Sequence, residues 1–173
     1  MNKVFVKSSD DGREEIVHKQ LAERVKEEIH NLLDTCATCN VSYINEAKTP
    51  SAFTCFYAFD GDKTLYFISL KRSAHIKCLA IKPECNIAVW RPPISWDADL
   101  YGANVRAKLN SPVQGDDATL LRAYLNRFPE AVEHLSSGFV AEWGDSALYS
   151  LHMIEGDLIS EESFGEETYH FEF

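Results

Sequence analysis

Phe56-Tyr57-Ala58-Phe59-Asp60-Gly61-Asp62-Lys63-Thr64-Leu65-Tyr66-Phe67-Ile68-Ser69-Leu70-Lys71-Arg72-Ser73-Ala74-His75-Ile76-Lys77 is the stretch on which the fold turns. Ala52 to Phe59 alternates and Thr64 to Ser69 is aromatic and β-branched, so both read as strands. Between them Asp60-Gly61-Asp62-Lys63 is hairpin chemistry, since Gly accepts positive φ without steric cost. The second strand then runs into a short helix, Ser73 to Ile81, with Ser73 as its cap and Pro83 as its stop. Ser69, Lys71, Arg72, Ser73 and His75 gather at this strand-to-helix turn. Unpaired N–H groups and the positive end of the helix dipole favour an anion there. Hydroxyls and cations would add charge-assisted hydrogen bonds suited to a phosphate. A plain Ser cap beside solvated Lys and Arg fits the same letters.

Working outward, Arg13 to Asp34 reads as an amphipathic helix. Val17, Leu21, Val25, Ile29 and Leu32/Leu33 recur every three or four residues, and Ser9-Asp10-Asp11 offers cap candidates. Thr38 to Ile44, Asn86 to Arg91, Leu100 to Leu109, Ala147 to Ile154 and Thr168 to Phe173 read as strands. Gly102 within the long strand suggests a bulge or a close backbone approach. Asp117 to Phe128 and Pro129 to Leu135 read as helices that break at the Phe-Pro step. Tyr124, Phe128 and Leu121 at helical spacing belong to a core. Residues 1–12 form a loose tail or an edge strand, and 13–173 form one domain without repeat or linker. Hairpin-joined strands without βαβ alternation make the class mainly β (α+β), an antiparallel barrel.

The chain has 173 residues, 45% of them apolar, enough for one sizeable core. No apolar run reaches membrane length and the first residues lack a signal-peptide core, so the expectation is a soluble cytoplasmic protein. A net charge of −10 opposes general nucleic-acid binding. Between Lys71 and Lys108, however, seven basic residues face three acidic ones, while from Glu155 onward there are seven carboxylates and no Lys or Arg. The basic segment could receive one small anion, though charge alone favours a solvated face. Five cysteines, an odd number, read as reduced structural thiols. Cys36-Ala-Thr-Cys39 follows a helix instead of opening one, and no second pair completes a metal site, so no metal is expected. There is no G-x-G-x-x-G or P-loop. Of the six histidines only His75 sits in a chemically suggestive cluster; His30, His134, His152 and His170 read as surface or satisfied residues. Trp90, Trp96 and Trp143 suit a core, an interface or a ligand stack. Arg106 and Lys108, on one strand face, suit either a cofactor or carboxylates of a partner chain.

Taken together, the opening helix, Phe56-Tyr57-x-Phe59-Asp60, the Ser69/Ser73/His75 spacing and Tyr101-Gly102-Ala103 resemble the pyridoxamine 5′-phosphate oxidase-like flavin split-barrel superfamily. Ala123-Tyr124-Leu125-Asn126-Arg127-Phe128-Pro129-x-Ala131 and Phe164-Gly165 extend the resemblance, which is to a short bacterial branch and runs from about residue 20 to 171. It implies a six-stranded antiparallel split β-barrel and a homodimer with FMN at the subunit interface. By position, Thr54, Cys55, Phe56 and Tyr57, with Ile68, would follow the isoalloxazine. Ser69, Arg72, Ser73 and His75 would hold the FMN phosphate, with Lys71 and Lys77 as weaker candidates. Two departures stand out. Many members carry an Arg-Lys pair where this chain has Ala74-His75, and the Arg and His that grip pyridoxal phosphate near the C-terminus have no match. Glu161, Glu162, Glu166 and Glu167 would repel a phosphorylated substrate, so vitamin B6 oxidation is not expected.

Three functions follow as expectations. The first is an FMN-dependent oxidoreductase acting on a small molecule, with no side-chain nucleophile required. The second is a non-catalytic carrier or sensor of flavin or haem on the same scaffold. The third is a thiol redox protein using Cys36 and Cys39. The aromatic richness supports a dimer, since Phe53, Phe56 and Tyr57 exceed what one thin core can hide.

Overall fold

The computed structural model describes residues 3–7, 14–16, 18–110, 118–134 and 145–173. Six antiparallel strands make the body: β3 (Thr38–Ile44), β4 (Pro50–Phe56), β6 (Thr64–Leu70), β7 (Glu84–Trp90), β8 (Tyr101–Asn110) and β9 (Ser146–Ser160). They are hydrogen-bonded in the order β4-β3-β7-β8-β9-β6. The two ends of this curled sheet, β4 and β6, meet through side chains, with the Phe53 and Phe67 ring centroids 5.7 Å apart. The expected antiparallel split barrel is therefore present, within a sheet that has more than the six strands expected. β1 (Lys3–Lys7), β2 (Glu14–Ile16) and β10 (Thr168–Glu172) extend the sheet beyond β9, and the two-residue β5 (Ala58–Phe59) pairs with β6. Among the described residues the α-helices are α1 (Lys19–Thr35), α2 (Ala74–Ile81), α3 (Ala118–Arg127) and α4 (Glu161–Phe164).

The split originates in β9. Its first half pairs with β6 up to His152, and its second half, from Glu155, pairs with β10. Along β8 the register jumps at the changeover: Arg106 opposes Glu155 while Ala107 opposes Met153, leaving Ile154 as an extra residue. Such a bulge bends the strand and sharpens its twist, so its two halves serve two different neighbours. The alternation-based strand ended at Ile154, where the bulge lies. Beyond it Glu155, Gly156 and Asp157 break the apolar pattern, yet each has a partner across the ladder. Glu155 takes the Arg106 Nε–H at 2.9 Å, and Asp157 lies 2.9 Å from His170 Nδ1. Gly156 of β9 lies between β8 and β10, opposite Val105 and Phe171. A Cβ there would stand 2.5 Å from the Asn104 carbonyl oxygen, so only glycine lets three strands close up. At Gly102 the expected close approach is found, but to the Trp90 ring rather than to backbone: a Cβ would lie 2.2 Å from it.

The core fills the barrel and runs under α1. Val25, Ile29, Leu32 and Leu33 of the helix join Val41, Leu65, Phe67, Ile87, Val105, Leu151 and Phe171, all buried. A smaller cluster of Ala58, Tyr66, Tyr124 and Leu148 seats α3 on the outer face of β6. Several sequence boundaries need correction. α1 starts at Lys19 rather than Arg13, because Glu14–Ile16 pairs with β1 instead. Lys3–Lys7, taken as tail or edge strand, is an inner strand between β10 and β2. The segment from Pro129 to His134 is a 3-10 helix. The proposed caps Ser9-Asp10-Asp11, and Trp143, lie outside the described residues.

Candidate functional site

The hairpin between β5 and β6 is built as its letters imply. Gly61 has φ +82°, and the Asp60 carboxylate accepts the N–H groups of Asp62, Lys63 and Thr64 at 2.9, 3.0 and 3.0 Å. β6 then carries Ser69 to the turn, where the Ser73 N–H donates to the Leu70 carbonyl at 3.0 Å and α2 begins. Ser73 occupies the cap position, but its side chain makes no cap bond. The first bond of the helix runs from the Lys77 N–H to the Ser73 carbonyl at 3.1 Å. Hence the N–H groups of Ala74, His75 and Ile76 have no acceptor inside the helix.

Ser69 Oγ instead lies 2.8 Å from His75 Nε2 and donates to Ser73 Oγ at 3.4 Å. The His75 ring stacks on Phe53 with centroids 3.9 Å apart. Burial against this ring holds the His75 pKa below its ordinary value, so at neutral pH the imidazole is uncharged. The cations therefore are Lys71, Arg72 and Lys77. Arg72 pairs with Asp145 at 2.9 Å, both side chains being mostly exposed. An exposed pair of this kind holds its arginine weakly.

Beside the turn opens a cleft of about 370 Å³. Arg72, Ala74, Lys77 and Cys78 form one wall, and Tyr43, Asn45, Glu46 and Ala47 of β3 and its following turn form the other. Its size is within the range of small-molecule sites, roughly 300–1,000 Å³. Arg72 and Lys77 thus border the cleft, while Ser69, Ser73 and His75 form a hydrogen-bonded group at the same turn.

The other sequence-derived residues separate by strand alternation. Ile68 and Ser69 point to opposite faces: Ile68 packs against the Ala58, Tyr66, Tyr124 and Leu148 cluster under α3, on the side away from His75. Phe56 is 57% exposed and meets Phe128 edge-on at 5.4 Å. Thr54 is exposed, its hydroxyl accepting from Asn40 at 3.3 Å. Cys55 turns inward toward Cys39. Tyr57 needs correcting as a surface ring: it is fully buried, donating its hydroxyl to the Leu33 carbonyl at 2.9 Å. Phe53 likewise packs against the core, so of the three aromatic residues expected to crowd the surface only Phe56 does. Arg106 and Lys108 bind carboxylates of their own chain, Glu155 and Glu84. Among the described residues no group of His, Cys, Asp or Glu is arranged for a metal, and no helix is long and apolar enough to cross a membrane.

Two features escaped the sequence reading of the site. Phe53, as the stacking surface for His75, follows from its inward place beside Ser51 and Cys55 in β4. The cleft wall at Asn45-Glu46-Ala47 carried no signal, because it is brought there by the β3–β4 turn.

No family model and no curated protein matches the chain. Solved structures do, at low identity. A heme binding protein from Mycobacterium smegmatis superposes with a TM-score of 0.66 at 15% identity, over 83% of this chain and 56% of that one. A protein from Clostridium acetobutylicum related to general stress protein 26 of B. subtilis (pyridoxinephosphate oxidase family) gives 0.64 at 10% identity, over 87% and 96%. An FAD-binding protein from Mesorhizobium loti gives 0.59 at 12% identity, over 84% and 94%. At such identities the likeness is one of fold.

Proposed function

We propose that this chain, which has the split-barrel fold of the pyridoxamine 5′-phosphate oxidase-like proteins, is an FMN-binding oxidoreductase acting on a small molecule. One observation carries the reading. A cleft bordered by Arg72 and Lys77 adjoins the start of α2, whose first N–H groups lack acceptors within the helix and whose Ser73 does not cap them. Cations gain nothing from the positive end of a helix; an anion gains from both. The donor set fits a phosphate monoester: Arg72, Lys71 and Lys77 supply charge, Ser69 and Ser73 hydroxyls, and α2 its N–H groups. The Ser69–His75 bond fixes the hydroxyl and ring at the turn. When bound, FMN would supply the redox chemistry; the protein would orient it. Thr54 and Phe56 on the outward face of β4 are the side chains open to the flavin ring, with the backbone of Cys55 and Tyr57. Because Phe56 and Ile68 lie on the opposite face from Ser69, we assign completion of the site to a second copy of the chain in a homodimer. Exposed Phe56, Trp90 and Leu100 offer an apolar surface for it.

Replacing Arg72 and His75 together by Ala should weaken FMN retention on the order of 100-fold, from the loss of charge-assisted bonds and of the fixed turn. Retention through gel filtration unchanged from wild type would overturn the assignment. A second reading, a non-catalytic carrier of flavin or haem, is favoured by the heme binding protein among the structural likenesses. Steady-state NAD(P)H oxidation with an electron acceptor supports the enzyme; tight flavin binding without turnover supports the carrier.

A further inference from the structure

The five thiols are not equivalent. Cys39 of β3 and Cys55 of β4 stand directly opposite each other in the ladder, and their sulfurs are 3.7 Å apart. Cys36, the other member of the C-x-x-C spacing, precedes β3 in extended backbone. Residues three apart along extended chain are separated by roughly 10 Å, so Cys36 and Cys39 are not a natural pair. Directly opposed residues of antiparallel strands have Cα atoms about 4.5–5.5 Å apart, which falls inside the span a disulfide bridges. Closing the sulfurs to about 2.0 Å then needs side-chain rotation and a small strand shift. β4 is the end of the hydrogen-bonded order, so that shift breaks no ladder hydrogen bond on its far side. Cys55 is half-buried, whereas Cys39 is only 2% exposed. The hydrogen bond to Cys55 and burial hold the Cys39 thiol well above its ordinary range, so Cys55 is the sulfur placed to react first.

We propose that Cys39 and Cys55 form a reversible cross-strand disulfide on exposure to hydrogen peroxide. The Cys55 sulfur attacks one peroxide oxygen, the O–O bond breaks, and the thiol proton leaves with the departing hydroxide as water, giving a sulfenic acid. The Cys39 sulfur then displaces the sulfenic hydroxyl, which leaves with the Cys39 proton as a second water. Two electrons pass from the two sulfurs to one peroxide. The bridge fastens β4 to β3 next to Thr54 and Phe56. It rests on the ladder register and the sulfur separation, and stands whether or not the chain binds FMN.

The test is peroxide treatment of the full chain, alkylation, digestion and mass spectrometry. Expected is a loss of two hydrogens per chain, a Cys39–Cys55 linked peptide, and recovery of five alkylatable thiols after dithiothreitol. Cys36→Ser should form the bridge as wild type does; Cys55→Ser should form none. A link between Cys36 and Cys39 or any other pair, sulfinic acid at Cys55 with Cys39 still alkylatable, or no change would each overturn the proposal. The wild-type and Cys36→Ser results decide it even where Cys39 or Cys55 variants fold poorly.

Discussion

Two arginines at helix ends show how the same side chain is spent in two ways. Arg127, from the end of α3, reaches the C-terminus of α1. It donates to the carbonyls of Leu33 at 3.1 Å, Asp34 at 2.9 Å and Cys36 at 2.6 Å, with its guanidinium over the Tyr57 ring. A cation belongs at that negative end, where unpaired carbonyls collect. Arg72 stands beside the opposite kind of end, the start of α2, with one exposed carboxylate for company. A saturated arginine at a helix C-terminus is structure; for an under-used one at a helix N-terminus beside a cleft, the proposed role is binding.

If that contrast is right, Arg127→Ala should be the most damaging change, lowering unfolding free energy in urea by about 2 kcal/mol or more. Arg72→Ala should shift it by less than about 0.5 kcal/mol. Comparable losses would erase the distinction. Gly102→Ala, which forces a Cβ into the Trp90 ring, should cost roughly 1–3 kcal/mol, read by the same titration. Tyr57→Phe, removing the buried hydroxyl from Leu33, should cost about 1 kcal/mol. The smallest effect concerns pH. His75 has a folded pKa below its unfolded value of 6.5. The unfolded chain therefore binds more protons between the two values, and stability drops as pH falls from about 6.5 through the lower folded pKa. His75→Gln should flatten that part of the urea-midpoint profile between pH 7 and 5, beside a pH-independent loss from the missing Phe53 stack.

The body of the barrel was legible because its strands obey period two and its hairpin carries Asp60 and Gly61. β3 was placed from Thr38 to Ile44, as found. What stayed hidden depends on partners remote in sequence. The second half of β9 is polar, and only Arg106 and His170 make Glu155 and Asp157 acceptable in a strand. Glu14–Ile16 could be read as helix because its fate is set by β1. At the site, the Ser69/Arg72/Ser73/His75 grouping was readable, since one turn brings it together. The separation of Ile68 and Phe56 from it follows from the pleat and the cover of α3. The burial of Tyr57 reflects a carbonyl and a guanidinium supplied by two helices, which no local pattern announces.

Titrating FMN into purified wild type and the Arg72→Ala/His75→Ala variant, followed by quenching of flavin fluorescence, tests the central claim most directly. Saturation at one FMN per chain, with affinity reduced on the order of 100-fold in the variant, is the expected result. Absence of quenching in the wild type, or equal affinity in both proteins, would contradict it.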